Sequence, residues 1–172
     1  MTRKARWFWP LAIALLVSDC ASKRVVESHL TLGRPQPLVG DVVRFTLSYN
    51  TNAAMGLPLG GDSPRLVLSA LSVAALVVLG FLYHRTRPSD RLRVIGVALV
   101  AGGALGNLVD RVRSSAGVVD FIDVGVSHVR FWTFNIADMG ITIGAVLLLL
   151  ALGNWSGGGA ERRGLSEAQI SR

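Results

Sequence analysis

The chain has 172 residues, of which 51% are hydrophobic and 17% charged, and its mean hydropathy is +0.47. This composition excludes an intrinsically disordered chain and argues against an ordinary water-soluble domain. The formal net charge is +7, but the Lys and Arg residues are scattered in small groups beside apolar runs, so a nucleic-acid partner is not expected. The single cysteine, Cys20, cannot form an internal disulfide.

Four long apolar stretches indicate membrane-spanning helices. In chain order they cover Trp7 to about Ala21, Leu66 to Tyr83, Val94 to Val109, and Ile136 to Leu152. At a rise of about 1.5 Å per residue the third stretch covers only roughly 24 Å, so flanking helical residues or a thinned bilayer must complete the crossing. The predicted fold class is an integral membrane protein, mainly α, with four transmembrane helices and a small extracytoplasmic β-sheet.

Basic residues predict how the four spans are oriented. They precede the first span, crowd the link between the second and third, and follow the fourth: Arg3, Lys4, Arg6, Arg85, Arg87, Arg91, Arg93, Arg162 and Arg163. Because Lys and Arg are retained on the cytoplasmic side, both termini are expected to be cytoplasmic. Residues 1–155 then form one membrane domain with extracytoplasmic loops 22–65 and 110–135, followed by a flexible cytoplasmic tail over 156–172.

The outer loops carry three candidate strands. Apolar Val43, Phe45, Leu47 and Tyr49 alternate with polar residues up to Asn50, which is strand periodicity. The other two candidates run over 118–122 and 129–132. We expect these strands to form the small sheet that caps the helices.

Polar residues that are costly near a membrane gather at one predicted depth. Asp19, Asn107, Asp110, Arg111, Asn135 and Asp138 lie at the outer ends of spans, and Asn50 and Asp120 lie in the outer loops. An ionisable side chain in a span costs on the order of 2.5 to 3.5 kcal/mol, which indicates function or pairing. A structural interpretation stays open, in which Asp110 pairs with Arg111 and Asp138 caps the fourth helix.

The chemistry that these residues favour is a pair of carboxylates. The sequence has no histidine placed as a base for a nucleophile and no zinc-binding spacing, so we expect neither a metal nor a cofactor. Two neighbouring carboxylates need neither a histidine nor a metal. Their repulsion raises the pKa of one of them, which leaves one acid and one base that can activate water. Asp120 and Asp138 are the candidates.

Five motifs resemble the lipoprotein signal peptidase family, signal peptidase II, and occur in that family's order. They are residues Asp19–Lys23, Asn50–Gly56, Gly102–Arg111, Val118–Asp123 and Phe134–Asp138. The resemblance implies an aspartic endopeptidase of the bacterial inner membrane. Such an enzyme removes the signal peptide from a prolipoprotein whose cysteine already carries diacylglycerol.

The resemblance also assigns roles to individual residues. Asp120 and Asp138 correspond to the catalytic dyad, and Asn50, Asn107, Arg111 and Asn135 correspond to polar residues that orient substrate and dyad. Asp19, Lys23 and Asp110 correspond to structural positions around them. It further implies a metal-independent monomer in contact with membrane lipid, a lipid-modified prolipoprotein as substrate, and inhibition by a globomycin-type cyclic peptide.

Two positions depart from the family pattern. Cys20 stands where the family commonly has Gln, and Asn52 stands where Gly is usual. Asn adopts left-handed backbone less freely than Gly, so the turn after Asn50 is expected to differ in detail.

Two other classes of function remain possible from the sequence. The first segment resembles a lipoprotein signal peptide with Cys20 as the lipidated residue, although Asp19 stands where a small neutral residue is usual. Alternatively, Asp19, Asp110 and Asp138 could relay protons in a non-enzymatic conductor. The apolar centres of the second and fourth spans argue against such a relay.

Overall fold

A computed structural model describes residues 2–51 and 64–152. The described chain is mainly helical and carries one small antiparallel sheet. Its elements are α1 Ala5–His29, β1 Gln36–Val39, β2 Val43–Asn50, α2 Pro64–Arg85, α3 Arg91–Arg113, β3 Val118–Val126, β4 Val129–Arg130 and α4 Ile136–Leu152. The predicted tail over 156–172 and the position of Asn52 lie outside the described residues.

Each predicted span lies within a helix, but three helices are longer than predicted. Helix α2 exceeds its predicted span by two residues at each end. The first continues past Ala21 to His29, and the third runs over Arg91–Arg113. The 23 residues of α3 extend about 34 Å. The helix is therefore long enough to cross a bilayer, although its apolar stretch alone is not.

Only part of the predicted membrane plan is evident from these helices. Among the described residues, α2 and α3 are long and apolar enough to cross a membrane, whereas α4 is apolar but shorter. Polar residues follow Val17 in α1, including the buried Asp19 and Lys23. Length and composition therefore identify two spans, and the full set of four stays a prediction.

Glycines allow α3 to contact α1 and α4 closely. A Cβ atom on Gly102 would lie 2.8 Å from the carbonyl oxygen of Ala12 in α1, and one on Gly96 would lie 3.0 Å from that of Gly144 in α4. Small residues are the usual means by which membrane helices pack closely, since they bring backbones into van der Waals contact. Helix α3 is consequently the central helix of the bundle.

Helix α2 differs from α3 because most of it is exposed. It buries only Leu68 and Leu79, whereas α3 buries ten residues. Leu66, Val77 and Phe81 are at least 60% exposed. Large apolar side chains on an outer face are typical of a surface that meets lipid.

The sheet packs against the last turns of α1. Its strand order is β1-β2-β3-β4, with every neighbouring pair antiparallel. Val26 of α1 packs with Leu47 of β2 and with Val119 and Phe121 of β3 in a second apolar core. The sheet therefore lies at the end of the bundle where α1 and α3 finish and α4 begins, hereafter the sheet end.

Three features of the sheet differ from the prediction. The strand predicted over 118–122 is longer in the structure, since β3 runs over Val118–Val126. Strand β1 was not predicted, because all four of its residues are exposed and none alternates with a buried neighbour. The third predicted strand is too long, since β4 ends at Arg130 and leaves Phe131 and Trp132 outside it. Beyond them the chain returns to β3 through an isolated bridge between Ile122 and Phe134, and this bridge sets the start of α4.

Adding a methyl group to α3 should therefore destabilise the protein. A Cβ on Gly103 would overlap the carbonyl oxygen of Ala137 in α4, whereas a Cβ on Gly80 of α2 would meet nothing within 4 Å. We expect Gly103→Ala to lower the free energy of unfolding by about 1–3 kcal/mol. Gly80→Ala should raise it by about 0.5–1 kcal/mol, because alanine loses less backbone entropy in a helix. Thermal unfolding of the purified protein in lipid nanodiscs measures both, and equal melting temperatures would contradict the tight contact.

Candidate active site

Asp138 is held in place by the start of α4. Asn135 immediately precedes the helix, and its Oδ1 accepts a hydrogen bond of 2.9 Å from the backbone N–H of Asp138. In return, Asp138 Oδ2 accepts one of 3.2 Å from the backbone N–H of Asn135. This reciprocal arrangement is a capping box, which satisfies two N–H groups at the helix start. The structural interpretation of Asp138 as a helix cap is thus confirmed, and the cap also fixes where its carboxyl group lies.

Asp120 comes from strand β3 and meets the same asparagine. It pairs in register with Ser48 of β2 and is 2% exposed. Asn135 Nδ2 donates a hydrogen bond of 2.7 Å to Asp120 Oδ1. A single residue, Asn135, therefore contacts both carboxyl groups.

Two further amides complete the polar surroundings of the pair. Asn50, at the end of β2, donates from Nδ2 to Asp120 Oδ2 at 3.2 Å. Asn107 of α3 donates from Nδ2 to Asp138 Oδ1 at 2.8 Å. Each carboxyl group thus receives one side-chain amide beyond the contacts that Asn135 makes.

A buried ammonium group lies behind these amides. Lys23 of α1 is 1% exposed, and its Nζ lies 2.7 Å from Asp19 Oδ2 and 2.8 Å from Asp110 Oδ2. Its third contact is a hydrogen bond of 3.0 Å to Asn107 Oδ1. The cation closest to Asp110 is therefore Lys23, and Arg113 lies farther off, with its Nη2 3.8 Å from Asp110 Oδ1. The pairing of Asp110 with Arg111 considered from the sequence is not found between these two described residues.

The two carboxylates beside Lys23 also hold backbone from neighbouring elements. Asp19 Oδ1 accepts from the N–H of Ala137 in α4 at 2.9 Å, and Asp110 Oδ2 accepts from the N–H of Val119 in β3 at 3.2 Å. Gly106 makes room for this contact, because a Cβ there would lie 2.5 Å from Asp19 Oδ2. The charged cluster thereby joins α1 and α3 to the segments that carry Asp120 and Asp138.

Both aspartates line one cavity of about 710 Å³. Its polar end is formed by Asn50, Asn107, Arg111, Asp120 and Asp138. The remaining wall is mainly apolar and comes from α2, α3, α4 and the segment before α4: Leu68, Leu71, Ser72, Ala75, Val100, Ala104, Val118, Phe131, Trp132, Thr133, Phe134, Met139, Ile141, Thr142 and Ile143. The carboxyl pair therefore stands at one end of a space suited to an apolar ligand.

Two aspartates on β3 have opposite electrostatic surroundings. Burial, together with the negative charge of Asp138, raises the pKa of Asp120 to about 7, although hydrogen bonds from Asn50 and Asn135 partly oppose the rise. Burial also acts to raise the pKa of Asp123, but hydrogen bonds from Arg130 and Arg44 outweigh it and lower that pKa below its usual range. Asp120 alone of the two is therefore suited to hold a proton near neutral pH.

The structure brings together all nine residues that the sequence singled out. Eight of them join one network of hydrogen bonds and ion pairs: Asp19, Lys23, Asn50, Asn107, Asp110, Asp120, Asn135 and Asp138. Arg111 lines the cavity and donates from Nη1 to the carbonyl oxygen of Asn107 at 3.3 Å. Among residues 2–51 and 64–152, no group of three or more His, Cys, Asp or Glu side chains is arranged to hold a metal ion.

Sequence reasoning missed the residues that shape the apolar wall of the cavity. Ser72 of α2 and Thr142 of α4 are examples, since each is one of few polar residues in a mainly apolar helix. Polarity alone would not have found Ser72, because Ser69 of the same helix is also polar and is not among the residues that line the cavity. The aromatic residues Phe131 and Trp132 could not be found in this way, because exposed aromatics are expected at any membrane interface.

The fold is similar to that of solved bacterial membrane enzymes. Two solved structures described as bacterial membrane enzymes, determined at 2.3 and 1.9 Å resolution by the in meso method, superpose with TM-scores of 0.77 and 0.72. Their sequences are 27% and 28% identical to this chain, and the alignments cover 86% and 83% of it and 88% and 89% of those structures.

Sequence comparison narrows this class to one family. The family model for signal peptidase (SPase) II matches residues 11–153. A lipoprotein signal peptidase of Coxiella burnetii (strain Dugway 5J108-111) is 36% identical over 155 residues, covering 87% of this chain and 93% of that protein. One from Photorhabdus laumondii subsp. laumondii is 39% identical over 146 residues, covering 84% and 86%. The chain therefore belongs to the signal peptidase II family of lipoprotein-processing proteases.

The stability of the protein should fall as the pH rises through neutrality. The pKa of Asp120 in the folded chain, about 7, lies above its ordinary value of 3.8, so the folded state binds this proton more tightly than the unfolded state does. The contribution is fully present below the ordinary pKa and is lost as the pH rises through about 7. We expect Asp120→Asn to remove a fall in the free energy of unfolding of a few kcal/mol between about pH 4 and about pH 7. Chemical unfolding of both proteins across that range measures it, and an unchanged slope in the variant would exclude Asp120 as its source.

Proposed function

We propose that this protein is a membrane aspartic endopeptidase that cleaves the signal peptide from diacylglyceryl-modified prolipoproteins. Asp120 and Asp138 form the catalytic dyad in this proposal. The observation that carries it is the contact of Asn135 with both carboxyl groups, on a cavity with an apolar wall. Family membership supports the substrate class, and the geometry supports the choice of residues.

The dyad would share one proton in the resting state. Asp120 holds it, because burial and the charge of Asp138 raise the pKa of Asp120 to about 7. The Asp138 carboxylate accepts a backbone N–H at the start of α4, where the positive end of the helix dipole lies. One carboxyl group is then an acid and the other a base.

The reaction is hydrolysis of one peptide bond. Asp138 takes a proton from a water held between the carboxyl groups, and the water oxygen attacks the scissile carbonyl carbon. Asp120 donates its proton toward the carbonyl oxygen, which stabilises the tetrahedral intermediate. The C–N bond breaks as the amine leaves with a proton from Asp138, and a hydroxyl of the collapsing intermediate returns its proton to Asp120 as the new carboxyl group forms.

The cavity supports a lipid-modified substrate. Its apolar wall extends from the dyad along α2, α3 and α4, where a signal-peptide helix or acyl chain would replace lipid. Arg111 and Asn50 at the polar end would bind substrate carbonyl groups. A globomycin-type cyclic peptide would compete for the same space, and no metal takes part.

The location that we propose is the bacterial inner membrane, crossed by all four helices, with the protein acting as a monomer. Both termini would be cytoplasmic, and the sheet end, with the dyad, would face outward. The basic residues flanking the spans support this orientation. Helix α1 continues through Cys20 to His29. This supports a first helix that is retained and not cleaved as a signal peptide, because cleavage before Cys20 would remove Asp19 from the charged cluster.

Replacing either dyad residue should abolish cleavage. We expect Asp120→Asn and Asp138→Asn to lower turnover of a diacylglyceryl-modified prolipoprotein by about a thousandfold or more, since each removes a proton-transfer group. A gel-shift cleavage assay measures this, with globomycin added to the wild type as an inhibition test.

The matched control is Asp41→Asn, which changes an exposed carboxylate in the turn between β1 and β2 that pairs with Arg44 and Arg130. We expect it to keep near-normal turnover. Normal cleavage by both dyad variants would refute the assignment, and wild-type protein that leaves the modified substrate intact would refute the function.

Labelling of introduced cysteines tests the orientation. In a Cys20→Ser background, His128→Cys lies in the turn between β3 and β4, and Ser89→Cys lies in the link between α2 and α3. A membrane-impermeant maleimide added to spheroplasts should label only the first, because the bilayer shields the cytoplasmic link. Labelling of Ser89→Cys alone would reverse the proposed topology.

A further inference from the structure

The orientation of the Asn107 side chain follows from the chemistry of Lys23. A lysine ammonium group can only donate hydrogen bonds, so the atom of Asn107 that faces it must be the oxygen. The amide nitrogen of Asn107 is therefore directed at Asp138 Oδ1, to which it can only donate. Lys23 thus determines the direction of a hydrogen bond that it does not itself make.

No other group can hold Asn107 this way equally well. Asn135 Nδ2 also reaches Asn107 Oδ1, at 3.2 Å, but its two hydrogens already face Asp120 Oδ1 at 2.7 Å and the carbonyl oxygen of Val119 at 3.2 Å. Without Lys23, the Asn107 oxygen keeps only the Asn135 amide as a donor. That amide has two hydrogens for three acceptors. The amide of Asn107 could then rotate and present its oxygen to Asp138.

Within the described part of the chain, every hydrogen-bond partner of the two carboxyl groups is a donor. Asp120 accepts from the amides of Asn50 and Asn135, and Asp138 accepts from the amide of Asn107 and the N–H of Asn135. None of these partners can accept the proton that the dyad shares. That proton must be directed at the other carboxylate or into the cavity, where water or substrate would receive it.

We infer that Lys23 is a positioning residue that keeps the dyad surrounded by donors, so that the dyad's proton is presented to the bound substrate. This inference rests on the proposed function for its catalytic consequence, but the orientation itself rests on contacts alone. Lys23 acts through Asn107 and touches neither carboxyl group of the dyad.

The charged groups around the dyad allow two substitutions that should shift the titration midpoint of the dyad in opposite directions. Lys23 and Asp19 come from α1, Asp138 comes from α4, and α3 supplies Asp110, Arg111 and Arg113. Arg113 lies 3.8 Å from Asp110 and also pairs with Glu27 of α1 at 2.8 Å. The cluster of Asp19, Lys23 and Asp110 carries a net charge of −1 (one cation and two anions). Lys23→Met makes this charge more negative, whereas Asp110→Asn makes it neutral.

Infrared spectroscopy measures the protonated carboxyl band of the dyad as a function of pH. The band is assigned to the dyad if it disappears in Asp120→Asn. We expect the titration midpoint to rise by about one pH unit in Lys23→Met and to fall by about the same amount in Asp110→Asn. Cleavage of the modified prolipoprotein should drop about tenfold to a hundredfold in kcat for Lys23→Met, with little change in KM. Arg44→Met is the matched control, because it removes a partner of Asp123 that contacts no residue of the dyad network.

The double variant Lys23→Met with Asp110→Asn separates charge from orientation. Its cluster keeps the wild-type net charge of −1, so the midpoint should return to the wild-type value while kcat stays low. Midpoints that do not move, or that move in the same direction in both single variants, would overturn the inference. If Lys23→Met does not fold, the double variant, whose cluster keeps the wild-type charge, decides the case through its kcat, and a wild-type kcat there would overturn the inference. Midpoint shifts without any cleavage by the wild type would refute the proposed function and leave the role of Lys23 intact.

Discussion

The contact of the Lys23 ammonium group with Asp19, Asp110 and Asn107 is the interaction on which the site depends. A buried charge without partners would destabilise the fold, but here the ammonium group lies within 3.0 Å of three oxygens, two of which belong to carboxylates. The two carboxylates use their other contacts to hold the backbone of α4 and β3. Helices α1 and α3 therefore position residues that α4 and the sheet supply.

The capping box of Asn135 and Asp138 also serves both the fold and the site. Helix starts need acceptors for their free N–H groups, and in this chain the acceptor at the third helical position is Asp138. The same asparagine reaches across to Asp120 through its side chain. The contacts that cap the first turn of α4 therefore also hold the two carboxyl groups close to one residue.

The sequence predicted the helices and the site residues better than the shape of the sheet and the cavity. Apolar runs located each helix, and the costly polar residues at their ends located the network, since such residues need partners near a membrane. The extension of α1 to His29 escaped prediction, because its last turns face the sheet and are not apolar. Strand β1 gave no signal, since its residues are exposed on both faces. The partner of Asp110 could not be chosen either, because Lys23 and Arg111 are both cations and only packing decides between them.

The glycines of α3 restrict which positions of the helix bundle can accept larger side chains during evolution. Gly96, Gly102, Gly103 and Gly106 leave no volume for larger side chains on the faces toward α1 and α4. Changes in the width of the cavity must come instead from α2, where Ser72 and Ala75 line the wall and few neighbours constrain them. Divergence among homologues in the lipids or leader peptides that they accept should accordingly concentrate on that loosely packed helix, while the glycine face stays fixed.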